Sequence, residues 1–351
     1  MGRPLAPAER SLLPDRFESV EHLEAVMTEP SAALVADLER ALGDIIVLGV
    51  GGKMGPTLAR LAKRAIPSRR VVGVARFSEP GLRASLERHG VECVAADLLE
   101  RDALARLPKL ENVIFMAGRK FGSTRAEHLT WAMNAHVPAL VAEAFAKSRI
   151  VAFSTACVYP FVRVASGGAT EDLAPTPPPG EYANSCVARE RIFQYFSQRY
   201  ATPGCLLRLS YAIDMRYGVL HDVARKIVAH APIDLTTGHV NVIWQGDANA
   251  QALRALAHCT APTSPLNVSG VEITSIRAIA GALGERLGIA PVFTGHEAEA
   301  GWLVNTEAAQ RLFGPPVVSL DRLLDWTADW VARGLPSLGK DTHYDVRDGR
   351  Y

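Results

Sequence analysis

Neither charge sign is in excess: 38 Lys and Arg face 37 Asp and Glu, a net charge of +1 over 351 residues. That balance offers no electrostatic footprint for a nucleic acid or an anionic membrane surface as partner. No run approaches 18 consecutive apolar residues, which argues against a membrane-spanning helix. The N-terminal stretch has scattered Glu and Asp and no apolar h-region, so it does not read as a secretory signal. Cysteine is scarce. Its five positions, 93, 157, 186, 205 and 259, are odd in number and lack paired metal spacing, which argues against a disulfide framework and a bound metal. Internal repeats and low-complexity segments are also missing. What remains, 48% hydrophobic and 21% charged residues, describes a globular protein expected in the cytoplasm, long enough for two lobes.

The informative stretch runs from Asp44 to Phe77. It opens on an unbroken apolar run, Ile45–Leu48, as expected of a strand covered on both faces. Gly49, Gly52 and Gly55 follow at a spacing of three. Pro56 then suits the first turn of a helix, whose apolar positions continue through Ile66. A second apolar run, Val71–Ala75, ends on Arg76. Strand, glycine turn, helix and strand in this order form the first half of a dinucleotide-binding unit. The glycines let the backbone approach a pyrophosphate, and the helix N-terminus meets it with free N–H groups. Arg76 at the end of the second strand, with Ser78 behind it, favours NADP(H) over NAD(H), because an acidic residue there would instead bond the ribose and repel a 2′-phosphate. Lys53 and Met54 lie inside the turn, and Lys53 could add phosphate affinity.

Around this stretch the rhythm is regular. Helices are expected over residues 20–27 and 31–42, with Ser31 as N-cap and Gly43 as stop. Strands are expected near residues 91–96, 112–117, 150–154 and 205–209, with helices at 79–90, 99–107, 128–148 and 182–200 between them. This alternation predicts an α/β fold, a doubly wound parallel sheet with right-handed crossovers. Residues 167–180, rich in Gly, Pro and Thr, are a loop. Beyond residue 210 the pattern loosens. Residues 240–244 and 265–268 read as short strands, and helices are expected at 218–229, 247–257, 273–287 and 320–333. A polar tail from Gly334 is expected to wrap the surface.

The G-x-x-G-x-x-G turn, Asp97 after the third strand, Ser154-Thr155-Ala156-Cys157-Val158-Tyr159-Pro160, Glu171, the proline-rich loop into Tyr182, Leu207-Arg208-Leu209 and Leu266-Asn267-Val268 together resemble the extended short-chain dehydrogenase/reductase family, the NAD(P)-dependent epimerase/dehydratase group. The resemblance covers roughly residues 44–333. It implies a Rossmann-like dinucleotide-binding domain at 44–210 completed by 239–258, a smaller interleaved substrate lobe at 211–238 and 259–335, a helical extension at 1–43 and a tail at 336–351. It further implies that Asp97 and Leu98 border the adenine, that Ala117 and Gly118 line the middle of the cofactor, and that Asn134 supports the site. Thr155 takes the place of the hydroxyl that bonds the reacting substrate oxygen, and Tyr182 that of the acid/base tyrosine. A homodimer is a further expectation of the family.

One position departs from the pattern. The family has Tyr-x-x-x-Lys; this chain has Tyr182-Ala183-Asn184-Ser185-Cys186. The lysine of that motif bonds the nicotinamide ribose and favours the tyrosinate, and a shorter, neutral thiol at Cys186 does neither unchanged. Lys120, just past the fourth strand, is a candidate to supply the missing cation, as is the positive charge of oxidised nicotinamide. Tyr211, His221, Asn241 and Trp244 are the substrate-side candidates. Many nucleotide-sugar enzymes of the group carry an arginine near Asn241; none stands in His239–Trp244, which shifts the expected substrate toward a free sugar, sugar acid or polyol. The sequence therefore predicts reversible hydride transfer at a hydroxyl or carbonyl of a sugar-like small molecule. The alternative is an NADP(H)-binding sensor or scaffold with little catalysis.

Overall fold

A computed structural model describes residues 13–122, 126–340 and 342–349. Seven parallel strands form its main sheet: β1 Ile45–Leu48, β2 Val71–Ala75, β3 Glu92–Ala95, β4 Asn112–Phe115, β5 Arg149–Thr155, β6 Gly204–Leu209 and β7 Ser264–Val268. Their spatial order is β7-β6-β5-β4-β1-β2-β3. Ile45 pairs with Val71 on one side and Asn112 on the other, so the order reverses between β1 and β4. In such sheets, ligands bind at that reversal, outside the carboxyl ends of the strands. All four residues of β1 and of β4 are buried, as the apolar runs Ile45–Leu48 and Val113–Phe115 require, and the buried Asn112 amide donates to Leu42 O and Asp44 O. Each fully buried Ile, Val or Leu there contributes about 1.5–3 kcal/mol. β7, in a segment expected in the substrate lobe, instead extends this sheet, because Leu266 and Val268 find their cover beside β6.

A second core belongs to the smaller lobe. Its helices Val219–Val228, Ile276–Leu287 and Leu320–Ala332 close around Trp326, Trp330, Leu283 and Val223. The helical extension joins this core through Phe17, Leu23 and Met27. Phe17 lies 4.6 Å from Trp326, centroid to centroid, and the Trp326 indole donates to Pro14 O at 2.9 Å.

Several elements differ from expectation. The helix expected at 128–148 is interrupted: Glu127–Trp131 and Val137–Ala144 flank a π-helical turn at Ala132–His136. The strand expected at 240–244 is two fragments, His239–Val240 and Ile243–Trp244, paired with different partners. The tail does more than wrap the surface. Thr342 donates to Asp222 from its backbone at 2.9 Å and its hydroxyl at 2.5 Å, and Tyr344 is buried in the second core. A polar composition hid this anchoring because a single aromatic carries it.

Candidate active site

The glycine turn opens a cleft at the carboxyl ends of β1 and β4. Gly49 has φ +91°, and a Cβ there would come 2.6 Å from Ala117 N. A Cβ on Gly55 would meet Val50 O at 2.3 Å. These two glycines are needed by the protein's own packing. Gly52 is not: the nearest atom to a Cβ there is 3.6 Å away and the residue is exposed. Its smoothness serves whatever approaches from outside. Behind it the helix Gly55–Ala65 follows Met54 with no side-chain cap; Gly55 N–H is taken by Gly52 O at 3.2 Å and Pro56 has none, so what the helix start offers an anion is chiefly the positive end of its dipole. Gly55→Ala is therefore expected to destabilise the fold by about 1–3 kcal/mol through overpacking. Gly52→Ala should hold stability within about 0.5 kcal/mol of the parent and weaken dinucleotide binding; chemical denaturation and calorimetric titration separate the two.

From the turn the cleft runs two ways, with Gly52, Met116 and Gly118 common to both arms. One arm is lined by Arg76, Ser78, Glu79, Asp97, Leu98 and Ala117. The Arg76 side chain is 73% exposed, and its guanidinium stands 4.0 Å from the Asp97 carboxylate, so it is free to turn toward a ligand. The other arm, between the two lobes, is lined by Lys53, Met54, Lys120, Tyr182, Arg189, Tyr211 and Tyr217.

Tyr182 lines this second arm, and Thr155 is buried next to it. Thr155, the last residue of β5, accepts the backbone N–H of Cys157 at 3.2 Å on its hydroxyl oxygen, which leaves its proton to be donated elsewhere. It lies beside the Tyr182 phenol and acts to lower that phenol's pKa. Tyr182 sits in the first turn of the helix Glu181–Tyr200, which leans on β5. Burial pushes its phenol well above the ordinary range, and the thiols of Cys186 and Cys157 add to that push, whereas Arg189 and the Thr155 hydroxyl act against it. Lys120 Nζ stands 5.7 Å from the Tyr182 ring centroid, and burial lowers the lysine's own pKa. Lys53 reaches over the Tyr217 ring at 3.1 Å; burial and the cations Lys120 and Lys340 push it down to about 7.

A family model described as NAD dependent epimerase/dehydratase family matches residues 45–258. The chain belongs to that family. A search of curated proteins finds no match. Among solved structures, the chain is similar to UDP-glucuronic acid 4-epimerase from Bacillus cereus in complex with UDP-glucuronic acid and NAD, at 20% identity and a TM-score of 0.69, over 83% of this chain and 99% of that one. It is also similar to UDP-glucose 4-epimerase from Thermotoga maritima with UDP-glucose, at 17% identity and a TM-score of 0.69, with 83% and 99% covered. These likenesses reinforce the fold.

As a member of the NAD dependent epimerase/dehydratase family the chain is a nicotinamide-dependent enzyme, and the sensor alternative is not favoured. The glycine cradle and the uncapped helix start fit a nicotinamide dinucleotide. No helix among the described residues is long and apolar enough to cross a membrane, and those residues contain no cluster of metal-ligating side chains.

The cleft gathers the expected cofactor residues except Gly55, which packs against Val50, and Cys186. Cys186 is fully buried in a cluster with Ala156, Val158 and Tyr159, its thiol is pushed up to about 11 by burial, and it does not line the cleft. Of the substrate-side candidates only Tyr211 lines the cleft. His221 is buried against Ser337, its Nε2 3.0 Å from the hydroxyl oxygen. Asn241 clips backbone together, accepting Val304 N–H at 3.0 Å and donating to Gly270 O and Glu272 O. Trp244 packs on Trp326. His221 and Trp244 serve packing, and Asn241 supplies hydrogen bonds to backbone that has no regular ladder there.

Several cleft residues gave no signal in the sequence: Tyr217, Gln245, Thr342 and above all Arg189. The Asn134 amide, on the π-helical turn, accepts Arg119 N–H at 2.8 Å and Arg189 Nη2–H at 2.7 Å, and donates to Arg119 O and Ser185 Oγ at 2.9 Å. A π turn often marks a functional site. Here it turns Asn134 inward so that one amide joins the end of β4 to the tyrosine helix.

Proposed function

We propose that the protein carries out reversible hydride transfer at a hydroxyl or carbonyl carbon of a sugar or sugar-derived substrate. The observation that carries this reading is the placement of Thr155 beside the Tyr182 phenol, which lines the dinucleotide cleft. Tyr182 takes the proton of the reacting hydroxyl and returns it, and Thr155 holds that same oxygen. Bound nicotinamide supplies the hydride acceptor and donor. Lys120, beside the Tyr182 ring, favours the phenolate and so assists the proton's departure. Tyr211, together with Lys53 and Tyr217, borders the space left for substrate. A sugar is supported by the UDP-sugars bound in the similar structures. The test is turnover of a panel of nucleotide sugars, free sugars and sugar acids, with any cofactor retained through purification identified by mass. Epimer formation with retained cofactor is expected; failure of every member to react would sink the reading.

NADP(H) is the favoured form, supported by Arg76 and Ser78 on the rim of the adenosine arm. NAD(H) is the second reading, favoured by Glu79 on the same rim and by the NAD found in the Bacillus cereus enzyme. Arg76→Asp is expected to reverse the ratio of NADP+ to NAD+ affinity by at least about tenfold, roughly 1.4 kcal/mol. An unchanged ratio would assign NAD(H).

A further inference from the structure

Cys186 leaves the tyrosine helix without the cation that its family places one turn after the tyrosine. One turn further along, on the same face, stands Arg189. Its side chain crosses beneath the cleft floor. Nη1 donates to Phe153 O at 2.8 Å and Nη2 to Asn134 Oδ1 at 2.7 Å. Arg189 is 6% exposed, yet its Nε–H has no partner among the described residues. A buried guanidinium donor left unpaired is costly unless something else accepts from it. The group also lines the arm shared with Tyr182 and Lys120, and a Cβ placed on Gly118 would come 2.5 Å from Nη2. The guanidinium thus fills the space under the strand end over which the middle of the cofactor is expected to pass.

We infer that Arg189 replaces the absent lysine, its guanidinium donating hydrogen bonds to the ribose hydroxyls beside the nicotinamide and holding Tyr182 in reach of its phenolate form. The inference rests on the proposed dinucleotide site. Arginine suits the position because the lever arm is longer than that of lysine and the root lies one turn farther from the tyrosine. Its planar fork can hold β5 and Asn134 with two donors and still present others. Burial lowers the pKa of the other candidate, Lys120. The Arg189 charge already works against the upward push on both Tyr182 and Cys186. Lys120 stands on the loop after β4, its Nζ 5.7 Å from the Tyr182 ring centroid.

The test uses the full chain with NADP+ and NAD+ as probes. Binding is measured by calorimetry, and phenolate formation in the complex by ultraviolet difference titration against the matching Tyr182→Phe protein. Arg189→Gln keeps an amide donor for Phe153 O or Asn134 and removes the charge. It is expected to weaken whichever dinucleotide binds the parent by about tenfold and to move phenolate formation up by about one pH unit. The double variant Arg189→Gln/Cys186→Lys is expected to recover both. A folded Arg189→Gln with parental affinity and titration would overturn the inference, as would a folded double variant no better than the single. Should Arg189→Gln not fold, the double variant decides alone: a parental phenolate midpoint supports the exchange of cations, and one raised by a unit or more refutes it. If the parent itself binds neither probe, the dinucleotide site fails, which is a distinct result.

Discussion

Tyr182→Phe is expected to lower kcat by about 10²–10⁴-fold, roughly 3–5 kcal/mol of barrier, with dinucleotide affinity nearly unchanged. The ring keeps its place between Lys120 and the cluster around Cys186, so only the proton carrier is lost. The pH profile should change with it. In the parent, burial and the two thiols set the phenol above its ordinary range, so oxidation should accelerate as pH rises toward that pKa. Arg189 and the positive nicotinamide bring the limb to lower pH, and Tyr182→Phe should erase it. Thr155→Ala should retain the limb while slowing turnover, because the phenol survives and the bond to the substrate oxygen does not. Measured kcat across pH for the three proteins checks this; a Tyr182→Phe enzyme with parental kcat would mean that another group carries the proton.

The second large effect concerns stability. Arg208 and Glu190 form an ion pair at 2.6 Å with side chains only 3% and 1% exposed. The Arg208 guanidinium also donates to the Tyr159 hydroxyl at 2.7 Å, and that hydroxyl donates to Asn267 Oδ1 at 2.9 Å. Ser154 Oγ donates to Glu190 at 2.6 Å, and Glu171 accepts Asn267 N–H at 2.8 Å. This network ties β5, β6, β7 and the loop after Thr155 into one unit. Arg208→Ala leaves a carboxylate buried with a single neutral donor, so it is expected to cost about 3–5 kcal/mol in denaturant-induced unfolding. A loss below about 1 kcal/mol would mean that water reaches Glu190. Because Thr155 adjoins Ser154, surviving enzyme should also turn over more slowly.

That network explains why the fold was so legible. Leu207-Arg208-Leu209, Leu266-Asn267-Val268 and Glu171 resemble a family signature, and the structure shows Arg208, Asn267 and Glu171 holding the active-site strand while Leu209 lines the cleft. The sheet was readable from Ile45–Leu48 and its successors because strands buried on both faces must be continuously apolar. The glycine turn was readable because Gly49 and Gly55 are forced by backbone contacts. The substrate side was not. His239–Trp244 lies among two-residue strands with no periodicity, so Asn241 and Trp244 looked like ligands when they were needed for packing, and His221, on the buried face of the helix Val219–Val228, is taken up by Ser337. Arg189 was missed for a related reason: an arginine inside a helix otherwise rich in charge carries no signal until Asn134, Phe153 and Gly118 are seen around it.

The most direct test of hydride chemistry between Thr155 and Tyr182 is isotope transfer. A substrate found by turnover, deuterated at the reacting carbon, is incubated with the full-length protein and its dinucleotide, and the nicotinamide is analysed by mass. Deuterium on the nicotinamide ring, lost in Tyr182→Phe, is the expected result. Turnover that never places label on the nicotinamide, with the dinucleotide bound, would contradict the account.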